Sequence, residues 1–213
     1  MTDLLPYLPG FAAAYAVQAV GGASPGPAVA MLLGIGTTAG RRAALAATAG
    51  IATAGATWAL LAALGMGAVL ASAEWAVTAI RLAGAAYLGW LAFGAFRGAM
   101  RPGASVAAAP TPRDGSAWRH YRMGLTLQLT NPKALVFWIA IAALGPTAGG
   151  GAGVVAAFCL GAGVVGFSTH GAWALALSSG PVRRGHAAAR RWIDAALGTL
   201  FATFAFRLAT ERT

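Results

Sequence analysis

Charge is the scarcest property of this chain. Of its 213 residues only 9% are Asp, Glu, Lys or Arg, and the acids number five. A soluble domain carries roughly 25–35% charged residues on its surface, so a water-soluble globule is excluded. A single cysteine, Cys159, leaves no intramolecular disulfide and no second thiol for passing reducing equivalents by exchange. The three histidines, His120, His170 and His186, are scattered, and with so few acids they form no ligand cluster, so neither a metal nor another cofactor is expected. No stretch matches G-x-x-x-x-G-K-[ST], which removes a phosphate cradle for ATP. No nucleophile, acid pair or metal cluster is apparent beyond Asp114 and the isolated histidines, so no catalytic residue is assigned.

What the chain has is apolar length. Hydrophobic residues make up 58% of it and glycine contributes 30 residues. Apolar runs at residues 10–36, 43–71, 76–96, 123–145, 152–178 and 192–210 are each about long enough to cross a ~30 Å hydrocarbon core. The expected fold is therefore an all-α integral membrane protein of six transmembrane helices. The N-terminus, with Asp3 and no basic n-region, makes a poor cleavable signal, and the first run is read as a retained span.

A formal net charge of +10 would suggest nucleic acid, but the basic residues are dispersed over separate connections. Arg41 and Arg42 fall in the first connection, Arg97, Arg101, Arg113, Arg119 and Arg122 in or beside the third, and Arg183, Arg184, Arg190 and Arg191 in the fifth. Under the positive-inside rule these three connections are cytoplasmic and both termini face outward. Trp58, Trp75, Tyr87, Trp90, Trp118, Tyr121, Trp138, Trp173 and Trp192 include several near span ends, where they would anchor the membrane interface. Gly36 with Gly40 and Gly94 with Gly98 have four-residue small spacing suited to close helix contact.

The longest connection, with Pro102, Gly103, Pro110 and Pro112, reads as a cytoplasmic linker over residues 99–119. It separates a first three-helix repeat, residues 1–98, from a second, residues 120–213. An odd number of spans per half makes a duplicated half re-enter upside down, so two inverted repeats are expected. Residues 81–97 (RLAGAAYLGWLAFGAFR) and 191–207 (RWIDAALGTLFATFAFR) are similar in the way such a duplication predicts.

Each half contains one helix break. Ser24, Pro25, Gly26 and Pro27 interrupt the first span, and Thr130, Asn131, Pro132 and Lys133 the fourth. Each reads as a cap followed by proline at the first helical position, Ser24 before Pro25 and Asn131 before Pro132. The breaks fall ~12–22 Å into their spans, near the bilayer midplane. Lipid cannot satisfy the freed backbone groups there, so the breaks line a wet cavity or are buried in protein. Two positive half-helix ends meeting in one cavity suit a carboxylate. Lys133 is the only lysine, and an ammonium at that depth costs roughly 2.5–3.5 kcal/mol unless it finds a partner or water, which favours facing the cavity over snorkelling.

Gln18, Thr126, Gln128 and Thr130 are polar groups near the breaks, either substrate contacts or neutral hydrogen bonders within the bundle. Asp194 follows Arg190 by four residues and Arg191 by three, which makes a local helix pair, yet it is also the leading proton-coupling candidate, with His170 second. Arg81 is expected to snorkel or to pair with Glu74. Cys159 is expected to pack inside the fifth span.

Taken together, these residues resemble the LysE/RhtB amino-acid exporters. SPGPAVAMLLGIGTTAGRRAALAATAGIATAGA (24–56) is similar to the family's first and second spans, RLAGAAYLGWLAFGAFR to its third, and LTNPKALVFWIAI (129–141) to its N-P-K block. The chain departs from the pattern at Ala28, where many members carry Asp or Asn, and at Leu144, Gly145 and Pro146, which replace P-Q-F. The resemblance implies a secondary exporter of a small zwitterionic amino acid or close derivative, proton-coupled, in the bacterial inner membrane among membrane lipids, in a bundle able to form a homodimer. Pro25, Gly26 and Pro27 would open one side of its substrate site, and Asn131, Pro132 and Lys133 the other. The alternatives are a membrane enzyme acting on lipid head groups and a non-transporting interaction subunit.

Overall fold

The computed structural model describes residues 3–24, 26–72, 74–100 and 115–210. Among these, every regular element is a helix, the form in which a spanning segment bonds all of its own backbone. A short 3-10 turn, Leu5–Tyr7, whose Leu5 N–H donates to Asp3 Oδ1 at 3.1 Å, leads into α1, Leu8–Ala23. Then come α2 (Pro27–Thr38), α3 (Gly40–Ser72) and α4 (Glu74–Ala99). The second half contains α5 (Ala117–Thr130), α6 (Pro132–Ala143), α7 (Ala152–Leu177) and α8 (Gly180–Thr210). Most of the expected linker lies outside the described residues, as do the side chains of Glu74 and Arg81.

The expected breaks are present. α1 and α2 meet at a bend of 55°, and α5 and α6 at 61°. Residues 40–65 and 152–177 each form 26 residues of apolar helix, about 39 Å long at 1.5 Å per residue, enough to cross a bilayer. Among the described residues these two helices are membrane spans by length and composition, or up to four with each bent pair taken as one span; α4 and α8 coincide with the third and sixth apolar runs.

The distribution of side-chain size fits lipid rather than water. Ala14, Ala44, Ala47, Ala54, Ala59, Ala162 and Ala174 are completely buried, while Leu160 is 73% and Val164 65% exposed. Lipid tails are as apolar as leucine, so burying leucine gains little there; close packing of small residues is what holds membrane helices together. Larger side chains fill three clusters where helices diverge. Phe11, Trp138 and Phe158 tie α1, α6 and α7, with the Phe11 and Phe158 rings 5.2 Å apart. Leu32, Ile35 and Ile51 tie α2 to α3. Leu88, Phe137 and Phe201 tie α4, α6 and α8, Phe137 meeting Phe201 edge-on at 5.7 Å. Cys159 is partly buried on α7, against the first cluster.

The tightest crossing is α3 on α5, at Gly50 and Gly124: a Cβ on Gly50 would run into the Tyr121 carbonyl, and one on Gly124 into that of Ala47. Sequence spacing pointed instead to Gly36, Gly40, Gly94 and Gly98, and only half of each pair works that way. Gly36 lies against Ser178 and Gly98 against Asp194, but Gly94 has nothing within 4 Å. Gly40 has φ +84 and makes the left-handed turn from α2 into α3, a conformation that favours glycine.

These contacts predict opposite signs for identical changes. Gly50→Ala or Gly124→Ala forces two backbones apart and lowers stability by about 1–3 kcal/mol. Gly94→Ala, in open space, leaves it unchanged or raises it by up to about 1 kcal/mol through helix propensity. Thermal unfolding of the purified variants in detergent reads both.

Candidate functional site

The two breaks are built from different local chemistry. At the second, Asn131 is the N-cap of α6: its Oδ1 accepts the Lys133 N–H at 3.0 Å, and its carbonyl accepts the Leu135 N–H at 3.1 Å. At the first, sequence spacing pointed to Ser24 as cap and Pro25 as first helical residue. The structure corrects this. Ser24 terminates α1 in extended conformation, with ψ 128, and the cap of α2 is Gly26, ahead of Pro27. Proline has no N–H in either position, so the register of the helix start is decided by where the chain resumes helical dihedrals, two residues later than expected. Pro25 lies outside the described residues.

Glycine as a cap has a consequence for the backbone. The Gly26 carbonyl accepts the Ala30 N–H at 2.9 Å, but Gly26 has no side-chain oxygen for the amides of Ala28 and Val29. Those two N–H groups leave the start of α2 without an intrahelical partner, as does that of Ala134 at the start of α6. All three residues line one cavity, together with Ser24, Gly26, Pro27, Asn131 and Lys133. The two half-helix starts therefore face the same space, which amounts to about 50 Å³ for the centres of water-sized molecules.

Lys133 crosses this junction. Its Nζ donates to the Ser24 carbonyl at 2.9 Å, joining residues 109 apart in sequence. A cation there also complements the negative end of α1. Gly26 lies directly beneath, where a Cβ would stand 3.3 Å from Nζ. Among the described residues lining the cavity, Lys133 is the only lysine or arginine, and none is Asp or Glu.

Two tryptophans close the other ends of the broken helices. Trp173 Nε1, on α7, donates to the Gly22 carbonyl at the end of α1 at 3.1 Å. Trp58 Nε1, on α3, donates to the Gln128 carbonyl near the end of α5 at 3.4 Å. Each first half-helix is thus held by an indole from the long helix of the other half. Sequence position suggested that several of the chain's tryptophans and tyrosines anchor the interface. Trp58 and Trp173 instead face the bundle, and Trp138 is buried, while Trp90, Trp118 and Trp192 are exposed.

The remaining expected residues divide cleanly. Gln18, Gln128 and His170 line the cavity. His170 is buried, and its Nδ1 lies 3.0 Å from the Gly166 carbonyl, which can only accept, so Nδ1 carries the proton. Thr130 is not part of the cavity: it is exposed, and its hydroxyl donates to the Thr126 carbonyl at 2.9 Å because α5 turns that face outward. Thr126 is likewise exposed. Asp194 is buried against Gly98 where α8 packs on α4, away from the cavity, whereas Arg191 is exposed, its guanidinium 5.2 Å from the Trp192 ring centroid.

Comparison with known proteins identifies the family. The family model described as LysE type translocator matches residues 19–212. The threonine efflux protein of Escherichia coli (strain K12) is 29% identical over 193 residues, covering 89% of this chain and 92% of that protein. The threonine efflux protein of Salmonella typhi is 30% identical over the same coverage. An uncharacterized membrane protein of Vibrio cholerae is 33% identical over 118 residues, 55% of this chain and 56% of that one. No solved structure gives a significant match. The chain belongs to the LysE type translocator family and is a multi-pass membrane transporter rather than an enzyme.

Proposed function

We propose that this transporter exports amino acids or closely related small metabolites across the bacterial cytoplasmic membrane, as a proton-coupled secondary carrier. The observation that carries the reading is convergence: α2 and α6 start at one cavity, with the cavity's cation, Lys133, bonded to the opposite break. A substrate carboxylate is received there by Lys133 Nζ and by the N–H groups of Ala28, Val29 and Ala134, all aimed where an anion is favoured. On arrival it competes with the Ser24 carbonyl for the ammonium. Occupancy thereby loosens the tie between the two breaks, which links binding to rocking of one half against the other. The threonine efflux relatives support an amino acid as the solute.

The halves are inverted repeats in this account, residues 1–98 and 120–213 joined by the linker 99–119. α1 and α2 correspond to α5 and α6, α3 to α7, and α4 to α8. The similar bends and the reciprocal indole bonds support that correspondence. Six spans with both termini outside follow from it and from the arginine-bearing connections. Proton coupling is assigned to His170, the titratable ring in the cavity wall, in preference to Asp194, which packs elsewhere.

Counterflow in proteoliposomes with a panel of labelled amino acids, with and without a pH gradient, tests the reading. Uptake of at least one small amino acid, stimulated by the gradient, is expected; failure of well-folded protein to take up any of them removes the export reading. Lys133→Met lowers the initial rate at least tenfold, a loss of about 1.4 kcal/mol. His170→Gln retains counterflow but loses stimulation by the gradient, and unchanged stimulation would place the proton step elsewhere.

A further inference from the structure

The reading above accounts for one pole of a zwitterion, and the cavity has a second. Gln18 Nε2 donates to the Ala162 carbonyl of α7 at 2.8 Å. A carbonyl can only accept, so the amide nitrogen is fixed on that side and the oxygen on the other. Oε1 of Gln18 is buried without a hydrogen-bond partner, and so is Oε1 of Gln128. Both residues belong to the cavity wall. Buried acceptors left without donors are uncommon and call for an explanation, and here both belong to residues of one cavity wall.

We infer that Gln18 Oε1, assisted by Gln128 Oε1, receives the substrate's α-ammonium, so that the cavity selects small neutral α-amino acids and turns away dibasic ones. This rests on the proposed export through the same cavity. An ammonium is purely a donor, the complement of two vacant acceptors. Its positive charge is already balanced by the substrate's own carboxylate, which Lys133 and the half-helix starts hold. A neutral amide suffices for such a zwitterion. It does not offset a second ammonium, which would enter a space that already contains Lys133 and, among the described lining residues, no carboxylate.

Size acts in the same direction. The enclosed space is small, about 50 Å³ for the centres of water-sized molecules. The walls offer little relief. A Cβ on Gly22 would lie 2.9 Å from Thr169 Oγ1, and one on Gly166 3.3 Å from Gln18 Nε2.

The test compares alanine and threonine with their α-hydroxy-acid analogues and with lysine in proteoliposome counterflow. The analogues keep the carboxylate and replace the ammonium with hydroxyl. Wild type is expected to show a KM for the amino acid at least tenfold below that for its hydroxy analogue, and at least tenfold below that for lysine. Gln18→Leu raises the amino-acid KM at least tenfold and leaves the hydroxy-acid KM within about twofold. Gln128→Leu, which leaves the Ala162 bond intact, does the same at threefold or more. Equal loss for both solutes, no change in either, or a wild-type preference for lysine overturns the assignment while export stands. Absence of counterflow in folded wild type removes the export reading and this assignment with it.

Discussion

A peptide group released from a helix inside a membrane must find a partner within the protein, and that demand organises this molecule. Proline at the start of α2 and of α6 removes donors and interrupts two helices, exposing amides on one side of each break and carbonyls on the other. The carbonyls are taken by side chains: Gly22 by Trp173, Gln128 by Trp58 and Ser24 by Lys133. Three amides, those of Ala28, Val29 and Ala134, are left without an intrahelical partner in residues that line the cavity. Three carbonyls at the breaks thus have side-chain donors from other helices, while three amides have no intrahelical partner.

That asymmetry gives the cavity its sign without many charges. Helix starts contribute partial positive charge and Lys133 an amine, and the Gln18 and Gln128 side chains in the same wall are neutral amides. The same elements determine rigidity. Reciprocal indole bonds cross from one half to the other, and α3 packs on α5 through Gly50 and Gly124, so each half is braced by the other's long helix.

Much of this was legible in the sequence, for physical reasons. Apolar length fixed the helices, since lipid permits little else, and α3 and α7 begin and end within three residues of the runs that announced them. Asn131 before Pro132 was readable because an Asx cap ahead of proline is a local rule, met by the 3.0 Å bond to the Lys133 N–H. The first break was misread by two residues because Ser24 and Gly26 both precede a proline and local rules alone favour serine. The Lys133 side chain lies against Gly26, a contact from the other half of the chain that local rules do not record. Thr130 and Gln128 looked equivalent in sequence, and only the rotation of α5 against α3 separated the exposed hydroxyl from the cavity amide. The tryptophans were seen but assigned to the interface, because their partners are carbonyls that no side-chain pattern records.

The central claim is that the two helix starts share one hydrated, substrate-accessible space, and site-directed thiol labelling measures this most directly. In a Cys159→Ser background, Ala28→Cys and Ala134→Cys are exposed in membranes to a small water-soluble thiol reagent, with Leu160→Cys as the lipid-facing reference. The account predicts that both cavity cysteines react, that a transported amino acid slows the two reactions together, and that Leu160→Cys stays unreactive with or without it. Cavity cysteines as inert as the reference, or protection at one and not the other, would contradict it.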